Sequence, residues 1–141
     1  PQGSINYIAP ETLLTMKANH LSDLFSLGVI CYEMLTGELP YKPNVRANNS
    51  YTHYQQWHYR SIKQHRNDLP VWLDLTLQQA TQANPNLRTQ AFSEFYVNLS
   101  KPNTEAIDEY KSLPLMQRNP VKFWQGTSLV LFFFLLLILF Y

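Results

Sequence analysis

Residues 23–41 read DLFSLGVICYEMLTGELPY, and this stretch decides the fold. Across residues 22–36 the apolar side chains leave almost no polar face, which predicts a helix that is buried on all sides. Ser22 or Asp23 is expected to cap the first turn, and Gly37 is expected to close the last turn in a left-handed conformation. The pattern therefore indicates a central helix against which the rest of the chain packs.

Two further strings flank this helix. GSINYIAPE occupies residues 3–11, and PNLR occupies residues 85–88. In order and spacing the three stretches resemble the end of the activation segment, the central helix and the closing part of the large lobe in eukaryotic-type serine/threonine protein kinases. The resemblance covers about the first hundred residues. It implies a mainly α fold, namely the helical C-terminal half of a kinase large lobe.

The resemblance assigns roles to five residues. Ser4 and Tyr7 are expected in the substrate pocket, where a hydroxyl at the position of Ser4 favours Ser/Thr acceptors in the family. Glu11 and Arg88 are expected to form a buried ion pair. Asp23 is expected to support the active site by accepting backbone N–H groups of the catalytic loop, since charge-assisted bonds are strong. The plainer alternatives are a turn serine at Ser4 and a helix cap at Asp23.

The catalytic motifs of the family do not occur in this sequence. Phosphoryl transfer needs a Gly-rich phosphate cover, a Lys–Glu pair, a catalytic-loop aspartate and a metal-binding Asp-Phe-Gly. We therefore expect these 141 residues to be an inactive part of a longer kinase that binds ATP and Mg²⁺ elsewhere, with no catalytic, cofactor or metal residue here. The alternative is a non-catalytic, membrane-tethered pseudokinase or partner-docking module.

Composition excludes several other functions. The net charge is +1 with 15% charged residues, so no electrostatic excess indicates nucleic-acid binding. The four histidines lack metal-ligand spacing, and the chain has one cysteine. Cys31 lies within an apolar helical stretch, which is typical of an unreactive structural thiol in a reducing compartment. Protein substrates and a membrane remain as the expected partners.

The C-terminal tail is apolar enough to suggest a membrane span. Residues 129–141 are uninterrupted apolar residues, and residues 121–141 make a helix of about 31 Å at ~1.5 Å per residue. A buried core helix is the alternative, but little of the domain remains to cover it. Arg118 and Lys122 flank the N-terminal side of the span, and Trp124 and Tyr141 lie where interfacial aromatic residues are expected, which predicts that the kinase part is in the cytoplasm. We predict a single-pass tail anchor.

The predicted organisation is a partial kinase domain at residues 1–100, a linker at residues 101–120 and a transmembrane helix at residues 121–141. Shorter helices are predicted from local spacing at four places. The first carries Tyr51, Tyr54 and Trp57 or His58, and the second follows Asp68 as a cap, with Leu73, Leu77 and Ala80 on one face. The third covers residues 89–99, with Ala91, Phe92, Phe95 and Leu99 on one face, and the fourth covers residues 105–111.

A finer resemblance concerns the end of the chain. Residues 119–125 and the order of kinase, linker and tail span are similar to a bacterial group of kinases in which a metal-dependent protein phosphatase precedes the kinase. This resemblance implies a role in bacterial signalling and a phosphatase domain ahead of the kinase.

Overall fold

Seven α-helices make up most of the chain in the computed structural model, which describes residues 5–15, 17–42 and 57–140. Within these ranges there is no strand, and the prediction of a mainly α fold is confirmed. The chain divides into two compact units, Pro1–Asn103 and Thr104–Tyr141. Short 3₁₀ turns lie at Ile5–Tyr7, Ile62–Gln64 and Pro85–Leu87. The helices are α1 (Pro10–Thr15), α2 (His20–Thr36), α3 (Val71–Ala80), α4 (Phe92–Ser100), α5 (Thr104–Ser112), α6 (Leu115–Arg118) and α7 (Pro120–Phe140).

Helix α2 begins earlier than the sequence pattern predicts. The cap is Asn19, whose side-chain oxygen accepts the backbone N–H groups of Leu21 and Ser22, each at 2.9 Å. The Ser22 hydroxyl in turn accepts the Asn19 backbone N–H at 2.8 Å, which completes a capping box. The prediction that Ser22 or Asp23 is the cap is therefore wrong, because Ser22 is the return partner of the box. Gly37, at φ 72°, closes the helix as predicted.

Among the described residues, one side of α2 is covered and the other is exposed. Leu24, Phe25, Val29 and Tyr32 are fully buried, whereas three apolar residues on the opposite side are exposed. These are Leu27, Ile30 and Met34, which are exposed to 38%, 42% and 81%. Their spacing of three and four residues places them on one helix face. The prediction of burial on all sides is wrong for this face.

The covered side of α2 contributes to two groups of buried residues. In the first group, Leu24 and Tyr32 pack with residues of α3, α4 and the second 3₁₀ turn, which are Ile62, Leu77, Ala80 and Phe95. In the second, Phe25 and Val29 pack with Ala9 and Tyr41. Helix α2 therefore joins the N-terminal segment to the later helices, and the inward face predicted for Leu77 and Ala80 is confirmed.

The starts of α3 and α4 differ from prediction. Asp68 does not cap α3, because its carboxylate accepts from the guanidinium of Arg66 at 2.7 and 2.9 Å, and Pro70 takes the cap position without a side-chain bond. The hydrogen bonds from Arg66 lower the pKa of Asp68 to about 2. Helix α4 begins only at Phe92, whose side chain is exposed, while Phe95 is buried as predicted.

Asp74 ties α3 to the chain that precedes it. Its carboxylate accepts from the hydroxyls of Tyr59 at 2.8 Å and Ser61 at 2.5 Å, and from the Ile62 backbone N–H at 2.9 Å. Residues 57–61 have no helical structure. The predicted helix around Tyr51 otherwise lies outside the described residues. Three donors converge on one buried carboxylate, so this network fixes the path of the segment.

The second unit contains α5, α6 and α7. The predicted linker at residues 101–120 is largely helical, since α5 extends the helix expected over residues 105–111 and α6 follows it. Helix α7 includes one stretch long and apolar enough to cross a membrane, Pro120–Leu139, none of which is buried. The linker role and the membrane crossing stay predictions.

Candidate functional site

Arg88 is held by a short turn that follows α3. Asn84 accepts the Asn86 backbone N–H at 3.0 Å, and Pro85 supplies a fixed φ for the first position of the 3₁₀ turn. The Arg88 backbone N–H then donates to the Pro85 carbonyl at 3.3 Å. This turn brings the arginine side chain back into the interior, where it is fully buried.

The buried guanidinium of Arg88 pairs with Glu11 at the start of α1. Its two terminal nitrogens donate to the two carboxylate oxygens of Glu11, at 2.6 and 3.0 Å. The Glu11 side chain is exposed to only 6% and that of Arg88 to 0%. Two parallel bonds between a planar guanidinium and a carboxylate form the strongest kind of charged contact in proteins. The structure thus brings together the two residues that were expected to pair.

The remaining N–H groups of Arg88 are also used. They donate to the carbonyls of Gln82, Leu21 and Ala83 at 2.9, 2.8 and 3.3 Å. The guanidinium carbon lies 4.9 Å from the centroid of the Phe25 ring, which adds a cation–π contact. Arg88 therefore connects α1, α2 and the end of α3 through one side chain.

Tyr7 is bonded to α2 through both its side chain and its backbone. Its hydroxyl donates to Glu33 at 2.6 Å, and its backbone carbonyl accepts the Ser26 hydroxyl at 2.7 Å. Ser26 and Glu33 are seven residues apart, so they lie on one face of α2, two turns from each other. This arrangement fixes the Tyr7 ring and the chain around it against the central helix.

Sequence reasoning missed Ser26 and Glu33 as partners of Tyr7. The available signal was Glu33 itself, an acidic residue within the apolar stretch that forms α2. A carboxylate on the covered half of such a helix needs a partner. Its distance of two helical turns from Ser26 indicates one common neighbour for both residues.

Asp23 is not part of the cluster that Tyr7, Glu11, Ser26, Glu33 and Arg88 form. Ser4 lies outside the described residues. Asp23 is on the exposed side of the first turn of α2, and within the described part of the chain its carboxylate accepts no hydrogen bond. Asp23 is thus neither the cap of α2 nor a partner of Glu11 or Arg88. Its role toward the catalytic loop stays a prediction.

The cluster around Tyr7, Glu11 and Arg88 is suited to holding the chain in place. Burial raises the pKa of the Cys31 thiol, which favours its neutral form. Burial, followed by the negative charge of Asp74, raises the pKa of Tyr59 above its usual range. Among the residues that the structure describes, no three acidic, histidine or cysteine side chains are grouped to hold a metal ion. The hydrogen bonds described above fix Tyr7 against α2 and Glu11 against the turn that carries Arg88.

The sequence is similar to those of known serine/threonine protein kinases. The chain is 41% identical over 81 residues to the LRR receptor-like serine/threonine-protein kinase RGI1 of Arabidopsis thaliana, covering 57% of this chain and 6% of that protein. It is 27% identical over 123 residues to the serine/threonine-protein kinase PknD of Chlamydia felis, covering 87% and 13%. It is 30% identical over 97 residues to the serine/threonine-protein kinase PknB of Mycobacterium leprae, covering 69% and 15%.

The chain thus spans only a small part of the length of these curated relatives. The family model of the protein kinase domain matches residues 1–108. This range includes GSINYIAPE, α2, the Glu11–Arg88 pair and all the helices of the first unit. The chain belongs to the protein kinase family.

Proposed function

We propose that the protein containing this chain is a serine/threonine protein kinase, which transfers the γ-phosphate of ATP to protein Ser or Thr, and that α7 anchors it in a membrane. Family membership supports the first part, and the names of the three relatives support serine and threonine as acceptors. The apolar length of α7 supports the second part. The kinase part is assigned to the cytoplasmic side, because Arg118 lies just before the span and Lys122 lies in its first turn.

The observation that carries the proposal is the buried pair of Glu11 and Arg88. It connects the segment that ends in Ala-Pro-Glu to the turn after α3, across 77 residues of chain. Breaking such a pair strands a buried charge. In the proposed kinase, the pair therefore holds the end of the activation segment in one position, and the Tyr7–Glu33 bond holds the residues just before it.

We assign roles to the three other predicted site residues on the same basis. By the family resemblance, Ser4 and Tyr7 are assigned to the substrate pocket. Asp23 is exposed at the start of α2, so its carboxylate is accessible to backbone N–H groups from a neighbouring catalytic loop. These assignments are part of the proposal.

ATP and Mg²⁺ are assigned to other parts of the protein. The residues of this chain do not fit such a site, since the sequence has none of the phosphate-binding or metal-binding motifs that phosphoryl transfer uses. The described residues likewise offer no grouped metal ligands. The contribution proposed for the 141 residues is to position the substrate-binding segment and the catalytic loop, and to anchor the protein. A preceding phosphatase domain stays a prediction.

Phosphate transfer tests the kinase proposal. The full-length protein is incubated with Mg²⁺, radiolabelled ATP and a general protein substrate, and phosphoserine and phosphothreonine are identified after hydrolysis. We expect transfer by the full-length protein and none by the 141-residue chain. The matched variants are Arg88→Leu, expected to lose activity because the segment is released, and Arg66→Leu, expected to keep it.

Absence of phosphate transfer favours the second candidate function, a docking module. A folded full-length protein without transfer to any Ser or Thr would be a non-catalytic docking module. The exposed apolar face of α2, formed by Leu27, Ile30 and Met34, supports that alternative, because an apolar face of this kind is suited to a protein partner.

Membrane anchoring has a separate test. The 141-residue chain is expressed in cells, and the cell membranes are isolated and washed with alkaline carbonate, which removes peripheral proteins. We expect the chain to stay with the membranes, and a chain lacking residues 120–141 to be released. Release of both chains would contradict the anchor without affecting the kinase proposal.

A further inference from the structure

Residues 113–119, here called the elbow, separate α5 from α7. Helix α5 ends at Ser112, α6 is only the single turn Leu115–Arg118, and helical structure stops at Asn119, which has φ −151° and ψ 81°. Pro120 starts α7 and has no N–H to donate to the preceding turn. The elbow therefore joins the two helices without forming one continuous helix with either.

Hydrogen bonds fix the shape of the elbow. The Tyr110 hydroxyl donates to the Arg118 carbonyl at 3.2 Å, and the Arg118 guanidinium donates to the Lys111 carbonyl at 3.1 Å. At the other end, the Asn119 side chain accepts the Lys122 backbone N–H at 3.1 Å and so caps α7. These bonds hold both ends of the elbow to the helices beside it.

The elbow nevertheless exposes its large apolar side chains. Leu113, Leu115 and Met116 are exposed to 38%, 46% and 54%. The exposure continues into the first turns of α7, where Val121 and Trp124 are also exposed. Isolated apolar residues are common on protein surfaces, but five within twelve residues amount to an apolar patch that needs a partner.

The charges around the patch have one sign. Lys111, Arg118 and Lys122 lie between residues 111 and 122, and this stretch contains no acidic residue. Lys111 pairs with Asp108 of α5, 3.7 Å from its Nζ, so Arg118 and Lys122 are the basic residues that the elbow and the first turn of α7 offer to a partner. The acidic residues of the unit lie further from α7, at Glu105, Asp108 and Glu109 of α5. Apolar side chains flanked by basic ones, next to an apolar helix, match the surface of a bilayer that contains anionic lipids.

Continuity with α7 supports a lipid partner. From Leu129 onward α7 is uninterruptedly apolar, whereas its first turns contain Lys122 and Gln125. The polar start of a spanning helix lies at the level of the lipid headgroups. The elbow directly precedes that start, so anchoring of α7 brings the elbow to the same level.

We propose that the elbow lies in the headgroup region of the leaflet that α7 enters. In this arrangement Leu113, Leu115 and Met116 insert among the upper acyl chains, and Arg118 and Lys122 contact lipid phosphates. The inference rests on the proposed membrane anchoring and adds its lipid contact. The elbow is thus a second anchoring element, which fixes the height at which α5 leaves the membrane.

Depth measurements with spin labels test the elbow. Cys31, the single cysteine, is replaced by Ser, and one new cysteine is introduced per variant as Met116→Cys, Glu109→Cys or Leu135→Cys. Each full chain is labelled with a nitroxide and reconstituted into vesicles of phosphatidylcholine with phosphatidylglycerol. Oxygen collides more often with labels in the acyl region, and a water-soluble nickel chelate collides more often with labels in water.

The elbow proposal requires a several-fold higher oxygen-to-nickel ratio at residue 116 than at residue 109, with the highest ratio at residue 135. A ratio at 116 equal to that at 109, with a high ratio at 135, would overturn the elbow and leave the anchor intact. A low ratio at 135 would overturn the anchor and the elbow with it. Omission of phosphatidylglycerol is expected to lower the ratio at 116 only, and an unchanged ratio there would contradict the contact with anionic lipid.

Discussion

At the scale of single residues, Arg88 is the most constrained side chain in the described part of the chain. Its five N–H groups donate to Glu11 and to three backbone carbonyls, so the donor capacity of the guanidinium is filled. Lysine has three donors at a single point and cannot reproduce this planar fork. The position therefore requires arginine.

Arg88→Leu is expected to destabilise the chain by about 3–5 kcal/mol, because it leaves the Glu11 carboxylate buried without its cation. Denaturant unfolding of the purified chain in detergent measures the loss. Arg66→Leu is the matched control, since the pair of Arg66 and Asp68 is exposed to solvent and is expected to contribute little to stability. Equal losses in the two variants would contradict the role given to the buried pair.

Tyr32 belongs to the first group of buried residues, and Tyr59 packs against it. The two tyrosines differ in the hydrogen-bond partners of their hydroxyl groups. The Tyr59 hydroxyl donates to Asp74 at 2.8 Å, whereas the buried Tyr32 hydroxyl has no hydrogen-bond partner among the described residues. The two rings are in edge contact, with centroids 5.8 Å apart. They offer a comparison of a paired with an unpaired buried hydroxyl.

Tyr59→Phe is expected to cost about 1.5–3 kcal/mol, because a bond to a charged acceptor is lost. Tyr32→Phe is expected to be neutral or stabilising, because it removes a buried hydroxyl that lacks a partner. The free energy of unfolding of both variants provides the check. A loss in Tyr32→Phe as large as that in Tyr59→Phe would show that the Tyr32 hydroxyl has a partner in solution.

At the scale of helices, the contact of α2 with α3 depends on Gly28. A Cβ placed there would lie 2.8 Å from the Thr81 methyl carbon and 3.1 Å from the Ala80 Cβ. Thr81 is fully buried, and its hydroxyl donates to the Leu77 carbonyl at 2.7 Å, so its side chain cannot turn away freely. Close approach of the two helices therefore requires glycine at this position.

Gly28→Ala is expected to destabilise the first unit by about 1–3 kcal/mol through overpacking, although alanine favours helices by ~1 kcal/mol over glycine. Gly126→Ala is the matched control in α7, where a Cβ would meet nothing within 4 Å. Thermal unfolding followed by circular dichroism distinguishes the two variants. A melting temperature unchanged by Gly28→Ala would mean that α2 and α3 are further apart in solution.

The limits of helix prediction are visible at the same scale. The C-terminal end of α2 was predictable, since Gly37 in a left-handed conformation is a local property of the backbone. The starts of α2 and α3 were not, because several neighbouring polar residues can serve as a cap. Asn19 caps α2 instead of Asp23, because the Ser22 hydroxyl accepts the Asn19 backbone N–H and completes the capping box. Asp68 does not cap α3, because its carboxylate is bonded to Arg66.

At the scale of the whole molecule, stability is expected to fall in alkali. Burial raises the pKa of Tyr32 from 10 to about 12. Above pH 10 the unfolded chain loses this proton while the folded chain keeps it, so the unfolded state is favoured progressively up to pH 12. The full contribution of the neutral tyrosine is present below pH 10.

Urea unfolding at a series of pH values from neutral to 12 measures this decline. The Tyr32→Phe variant is the control and is expected to lose less stability over the same range, with Tyr59 accounting for part of the remainder. Identical pH profiles for the variant and the unmodified chain would contradict the assignment to Tyr32.

The sequence by itself determined the family, the central helix and the apolar tail, because these depend on local patterns of side chains along the chain. It also indicated Glu11 and Arg88 as partners through the family resemblance. Only the tertiary structure decided that Tyr7 bonds to Glu33, that Asp74 gathers three donors, and that Leu27, Ile30 and Met34 are uncovered. Such contacts join residues distant in sequence, and their geometry follows from how the helices pack.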